Sequence, residues 1–463
     1  MRGRLFSLIG LAAVLAACGD DPNSQFPNGE GGPDPNNGDG DCVFGCQLND
    51  GGTQETAPPC VGLQCQQVDC AGKGMPATTL SGTVFAPNGT LPLYNVIVYV
   101  PNAPLDPIPN GATCDKCGSI VSGNPVVSTL TDATGKFTLK NVPVGKDIPL
   151  VFQIGKWRRK VTIPNVAQCQ DTPLTDANVT RLPKTQAEGD IPKIALTTGA
   201  ADPLGCILPK LGLAANEFTA VAGTGKVNTF NGNSAGPAYA TAANTTFWND
   251  SNTMKKYDIV VLSCEGGEYL NTKPVASRTE MQKYLDMGGR VFGSHYHYVW
   301  FQYGPSPFPT TATWQGDGMG PGDTQPFKID TSFPKGKALA DWLKFVEPTL
   351  TYGEMPINQV RNDVGVVNKT TSTRWVYAST NPEATKYLSF NTPVGAMPDQ
   401  QCGKAVFGDL HIGAGSVVNA QYPASCPTTL TPQEKALIFL FFDLSSCVQT
   451  KDSDPLPPPP QPK

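Results

Sequence analysis

The chain carries three histidines, and all fall in its C-terminal half, as His295-Tyr-His297 and Asp409-Leu-His411. Each group follows a short apolar run, Val291-Phe292 or Ala405-Val-Phe407, that reads as a buried strand. Open α/β sheets bind ligands at the carboxyl ends of their strands. His295, His297 and His411 are therefore candidates to meet at one point. Three imidazoles beside a carboxylate suit zinc or another divalent metal, with Glu265 or Asp409 as ligand or base. The competing reading is that the histidines, with Tyr296, Tyr298, Trp300 and Phe301, line an aromatic pocket or pack a loop. Cys264 closes another apolar run, Ile259–Leu262. A free Cys264 beside a histidine is a candidate nucleophile.

Other motifs fall away on their context. Gly232-Asn-Ser234-Ala-Gly236 has the spelling of a nucleophile elbow, but Asn and Gly precede Ser234 and Pro237 follows it. An elbow needs a strand before and a helix after, so this is a loop. Gly223-Thr-Gly-Lys226 lacks the first Gly and the Ser/Thr of a phosphate loop. HExxH and HxxE are absent, which removes the zinc-peptidase signatures. Cys114-Asp-Lys-Cys117 has metal-like spacing without a second ligand pair, in a Pro/Gly-rich loop. It reads as disulfide-forming rather than zinc-binding or thioredoxin-like.

The elements that must position the histidines span residues 190–449. Short apolar runs (Ile194–Leu196, Ile259–Leu262, Val291-Phe292, Ala405–Phe407) alternate with helical patterns, which predicts an α/β domain with a mostly parallel sheet. One helix is expected to start at a capping box of Ser277 and Glu280 and to end at Gly288-Gly289. A second carries Leu339, Trp342, Leu343 and Val346. A third has Thr431 as cap, Pro432 first and Glu434 closing the box, then an all-apolar run to Phe442 that must be buried.

Tyr257-Asp-Ile-Val-Val-Leu262, Gly288-Gly-Arg-Val-Phe-Gly-Ser-His295 and Gly403-Lys-Ala-Val-Phe-Gly-Asp-Leu-His411 resemble the class I glutamine amidotransferase-like superfamily, nearest its ThuA-like branch. The resemblance implies a flavodoxin-like α/β fold. Where such proteins hold the nucleophilic cysteine, this chain has Ser294-His295, so glutaminase chemistry is not expected.

Residues 77–170 alternate with period two, as in Lys136-Phe-Thr-Leu-Lys140, and turn signals separate the runs. They predict an antiparallel β-sandwich. Ser81-Gly-Thr-Val84, Pro92–Val98, Thr131–Leu139 and Val142-Pro-Val-Gly145 resemble the carboxypeptidase regulatory-like domain, with a long insertion between Tyr99 and Val126. That resemblance implies a prealbumin-like binding or scaffolding module and no peptidase activity. Trp157-Arg-Arg-Lys160 is read as an exposed strand with edge-protecting charges.

The N-terminus supplies an address. Arg2 and Arg4 precede an apolar run, and residues 1–17 end in Leu15-Ala-Ala-Cys18. This resembles the signal peptide and lipobox of bacterial lipoproteins, with lipid on Cys18. Gly19 rather than Asp follows, which points to the outer membrane of a Gram-negative bacterium. Residues 18–41 read as a flexible tether and 450–463 as a Pro-rich disordered tail.

An exported chain rich in cysteine implies disulfides. The candidates beyond Cys18 are Cys42, Cys46, Cys60, Cys65, Cys70, Cys114, Cys117, Cys169, Cys206, Cys264, Cys402, Cys426 and Cys447. The first five form a Cys-rich module at 42–76, and one of them should bond into the next domain, where Cys114 and Cys117 sit. Cys264 is expected to pair with Cys206 at the same sheet edge. The number is odd, so one thiol can remain free.

The whole chain has 463 residues, 16% of them charged, with a net charge of −5. No Lys/Arg-rich run accompanies the fold, so nucleic acid is not an expected partner. Two functions compete. One is a lipid-anchored scaffold binding glycan or surface proteins without catalysis. The other is a metal-dependent hydrolase or lyase acting on carbohydrate or a related polar substrate.

Overall fold

A computed structural model of the chain describes residues 59–119, 121–233, 242–316, 325–379, 384–412 and 422–450. The signal peptide, Cys18, the tether, Cys42, Cys46, Ser234 and the tail from 451 lie outside them. The described part is multidomain and mostly β, with several sheets, fewer helices and five disulfides.

Its N-terminal sheets are built from β1 (Thr79–Thr83), β2 (Ile97–Pro101), β3 (Pro125–Leu130), β4 (Lys136–Lys140), β5 (Gly145–Ile154), β6 (Trp157–Val166) and β7 (Asp171–Leu174). One sheet has the order β4-β1-β7 and the other β3-β2-β5-β6. All pairs are antiparallel except β1 with β7. In β4 the lysines and Thr138 face solvent while Phe137 and Leu139 are buried. Phe137 meets Phe152 of the other sheet edge-on at 6.1 Å, so the two apolar faces close on each other.

The larger sheet uses β8 (Ile194–Thr197), β9 (Phe218–Thr219), β10 (Val227–Asn231), β11 (Ala242–Ala243), β12 (Ile259–Leu262) and β13 (Arg290–Ser294). Two further pairs, β14 (Ala312–Trp314) with β18 (Val364–Val367) and β17 (Gln359–Val360) with β22 (Leu410–His411), flank it. It is completed by β15 (Phe327–Ile329), β16 (Glu354–Met355), β19 (Ser372–Ala378), β20 (Thr385–Thr392) and β21 (Gly403–Gly408). The order is β11-β10-β8-β12-β13-β21-β20-β19-β15-β16, with β9 beside β10. From β11 to β21 every pair is parallel. From β21 to β16 every pair is antiparallel, so the sheet is mixed.

The helix Pro432–Ser445 is buried almost throughout and carries the Thr431/Glu434 capping box expected of it. It is buried because both halves of the molecule cover it. Tyr94 stacks on Phe439 at 5.5 Å and Trp157 meets Phe442 at 5.7 Å. Rings of this size contribute roughly a few kcal/mol each when buried. The β5–β6 turn approaches so closely that a Cβ on Gly155 (φ +53°) would lie 1.8 Å from the Ser445 carbonyl. Trp157 and Arg158 are therefore buried, not exposed as predicted, and Arg158 pairs with Asp190 at 2.8 Å. The helix Val275–Asp286 starts one turn earlier than the capping-box reading, because Pro274 stands extended at its N-cap. Ser277 lies inside it and donates to Asn249 Oδ1 at 2.5 Å.

The disulfides overturn one expected pairing. Cys60 pairs locally with Cys65, and Cys70 bonds to Cys169 in the next domain, as expected of one cysteine of the Cys-rich module. Cys114 and Cys117 are disulfide-bonded as expected, to Cys402 and Cys447, fastening the sandwich insertion to the large domain. Cys206 pairs with Cys426, not Cys264, and Cys264 is a buried free thiol.

Candidate metal centre

Parallel pairing assembles the site. β12 and β13 align Leu262 with Gly293, so Cys264 and His295 both stand two residues further on, at adjacent strand ends. Cys264 Sγ lies 3.2 Å from His295 Nδ1. The same Nδ1 is 2.9 Å from Nε2 of His411, which follows β21. The three donor atoms all lie within 4.8 Å of one another, and all three residues are buried. His295 adopts φ +43°, a left-handed conformation that a non-glycine residue rarely holds. Gly199, after β8, packs so tightly that a Cβ there would lie 2.1 Å from the Cys264 carbonyl.

Burial sets the protonation. It pushes the Cys264 thiol up to about 12. Burial, then the neighbouring His411, Arg361 and His297, pushes His295 down to about 2. Burial and Arg361 push His411 down to about 4. Both imidazoles are neutral at pH 7, which is the ligating form.

One segment supplies outer partners to both rings. Asp363 Oδ2 is 3.8 Å from His295 Nε2. Gln359 Oε1 is 2.9 Å, and an Arg361 guanidinium nitrogen 3.1 Å, from His411 Nδ1. Asp409 holds that segment in place by accepting from the backbone N–H of Asp363 at 3.0 and 3.1 Å and of Val364 at 3.3 Å.

Three of the six expected residues therefore converge and three do not. His297 is not a ligand here. Its Nε2 donates to the Ser263 carbonyl at 2.8 Å and its Nδ1 accepts from Trp300 at 3.0 Å. Glu265 is not a free base. It pairs with buried Lys273 and accepts from the Asn233 backbone N–H at 2.6 Å, Asn233 Nδ2 at 3.0 Å and Asn244 Nδ2 at 2.9 Å. Asp409 is an anchor, with Lys386 3.5 Å away. Of the aromatic residues named with the histidines, Tyr298, Trp300 and Phe301 are buried in the core, while Tyr296 is half-buried and lies against His295 with ring centroids 3.9 Å apart. Asp363, Gln359 and Arg361 had no sequence signal, since they sit in an irregular polar stretch around a two-residue strand.

One thiol with two imidazoles is a donor set for zinc or copper, and a poor one for magnesium, calcium or manganese. A separate cavity of about 300 Å³ lies under the sandwich insertion. Its principal cations are spent on structure, Arg158 on Asp190, Ser122 and the Asp106 carbonyl, and Lys156 on Asp258.

No family model matches the chain, and no curated protein matches it. Among solved structures it is similar to an N-terminal interface mutant of a type II cohesin–X-dockerin complex from Acetivibrio cellulolyticus. The identity is 15%, the TM-score 0.17, and the match covers 29% of this chain and 84% of that one. A C-terminal interface mutant of the same complex gives 16% identity and a TM-score of 0.15 over 32% of this chain and 79% of that one. Likeness of this size assigns neither fold nor partner.

Proposed function

We propose that the chain is an exported, lipid-anchored envelope protein whose large domain, amidotransferase-like in descent, holds a metal centre in place of a cysteine nucleophile. The observation that carries the reading is the convergence of Cys264 Sγ, His295 Nδ1 and His411 Nε2 at the strand ends. Counting β8 as first and leaving aside the two-residue β9 and β11, the parallel strands run second–first–third–fourth–fifth across the sheet, an order of doubly wound, flavodoxin-like domains. That supports the ThuA-like resemblance, as does His295 in the turn where the family carries its nucleophile. Cys264, His295 and His411 would hold the ion, which would supply Lewis-acid activation of a substrate or water oxygen. The activity this supports is that of a hydrolase or lyase, cleaving a carbohydrate or related polar substrate by hydrolysis or elimination. The prealbumin-like sandwich, on its tether from Cys18, serves to present the centre and to bind glycan or protein partners at the outer membrane.

The test is elemental analysis of the full chain, exported with its disulfides intact and purified without chelators. About one equivalent of zinc or copper is expected. Cys264→Ser, His295→Ala and His411→Ala should lose it, and His297→Ala should keep it. A chain that stays metal-free after incubation with zinc or copper would overturn the metal centre and leave the non-catalytic scaffold.

A further inference from the structure

Arg361 brings a positive charge up to the cluster, and its backbone is fixed there. β17 pairs with β22 so that Gln359 lies opposite His411 and Val360 opposite Leu410. The Arg361 N–H then donates to the Asp409 carbonyl at 3.0 Å. One amino group of the guanidinium donates to the Val360 carbonyl at 2.8 Å, and the other lies 3.1 Å from His411 Nδ1. The charge reaches Cys264, His295 and His411 alike. A guanidinium is a fork of N–H donors, and these two contacts leave most of it without a protein partner. The side chain is half-buried, so a solute can reach it.

The carboxylates nearby are committed elsewhere. Asp409 faces Lys386 at 3.5 Å, and Asp363 stands 3.8 Å from His295 Nε2. Among the described residues none pairs with Arg361. Arg158, Arg181 and Arg374, buried or half-buried like it, each grip a carboxylate. Arg290 is instead filled by the Gly288 and Cys402 carbonyls.

We propose that Arg361 is the anion receptor of this site, taking a carboxylate or phosphate group of a charged sugar and holding it against the Cys264–His295–His411 cluster. This rests on the metal-centre reading above and names the substrate class it serves. The planar fork matches either oxyanion with paired hydrogen bonds. A neutral sugar laid over the same guanidinium would strip water from an unpaired charge, which is costly, whereas an oxyanion replaces what the water supplied. Three protein donors also leave room beside them for a substrate group. Arg361 therefore selects for charge and sets which end of the sugar meets the cluster.

The test is calorimetric titration of the disulfide-intact full chain, metal-free and zinc-loaded, with glucuronate, glucose 6-phosphate and glucose. At least one charged sugar should bind where glucose does not, and the tighter of the two tells a carboxylate substrate from a phosphate one. Arg361→Gln should weaken that sugar by roughly tenfold to a hundredfold, the scale of hydrogen bonds to a charged group. Arg361→Lys should recover only part of this, because an ammonium keeps the charge and loses the fork. If Arg361 only supports the His411 ring, both variants shift zinc affinity and leave the preference for charged over neutral sugar as in wild type, which overturns the proposal. A zinc-loaded wild type that binds neither charged sugar, or binds glucose as tightly, overturns it too and leaves the metal centre standing. A chain that takes up no zinc yet binds a charged sugar through Arg361 overturns the metal centre and keeps the anion receptor. A chain that binds neither zinc nor a charged sugar overturns both.

Discussion

Cys264 and His295 touch because they occupy equivalent positions, two residues past an aligned pair on neighbouring parallel strands. A parallel sheet places residues of equal register side by side at its carboxyl edge, however far apart they are in sequence. The contact is thus a consequence of β12 and β13 being adjacent, and it survives only while neither strand shifts.

Cys264 should behave as a thiol that the fold conceals. It is fully buried and unpaired, and burial holds it protonated at neutral pH. An alkylating reagent should leave it unlabelled in the native, metal-free protein. After denaturation without reductant, peptide mapping should find the label on the peptide containing Cys264. Rapid labelling under native conditions would contradict this placement.

Loss of His297 should cost stability without costing metal. The ring is buried between the Ser263 carbonyl and the Trp300 N–H, and its deletion leaves both without a partner and opens a cavity. His297→Ala should destabilise by roughly 2–4 kcal/mol in denaturant titrations. Retained metal content would separate it from His295 and His411.

The extent to which this site is legible in sequence follows from how locally each part is encoded. The four apolar runs at Ile194, Ile259, Val291 and Ala405 are buried on both faces, and continuous burial writes itself as continuous apolarity. That is why the edge carrying His295 and His411 can be found. The antiparallel strands β19 and β20 hide Arg374, Lys386 and Asn391 among their residues, and such polar content masks them. Disulfide partners such as Cys114 and Cys402 are 288 residues apart, so no local pattern records them. His297 misleads for a simpler reason. His295 opens a short 3₁₀ turn, and the residue two positions on is rotated away from it toward Ser263.

Breaking the Glu265–Lys273 pair should be a folding defect. Both side chains are essentially inaccessible, so neutralising one leaves the other as an uncompensated buried charge. Glu265→Gln should destabilise by roughly 3–5 kcal/mol. Metal content per folded molecule should be unchanged, whereas a ligand or catalytic role for Glu265 would lower occupancy or activity at full stability.

Two carboxylates away from the site should give stability opposite dependences on pH. Glu188 is bound by both terminal nitrogens of Arg181, at 2.7 and 2.8 Å, which holds it down to about 2. Its folded value is depressed, so its contribution is present above about 4.5 and is lost as pH falls toward 2. Asp286 is the reverse case. Its Oδ1 is buried without a hydrogen-bond partner at the last residue of the Val275–Asp286 helix, where the dipole also disfavours an anion. Burial raises it to about 6. The folded state then holds the proton more tightly than the unfolded chain, so stability falls as pH rises from about 4 to 6. Asp286→Ala should therefore stabilise the protein at pH 7 by about 1 kcal/mol, after allowance for solvent screening of a half-exposed group. The gain should vanish below about pH 4. Chemical denaturation of wild type and variant at pH 3.5 and 7 measures the difference, and an equal effect at both values would place the burial of Asp286 in error.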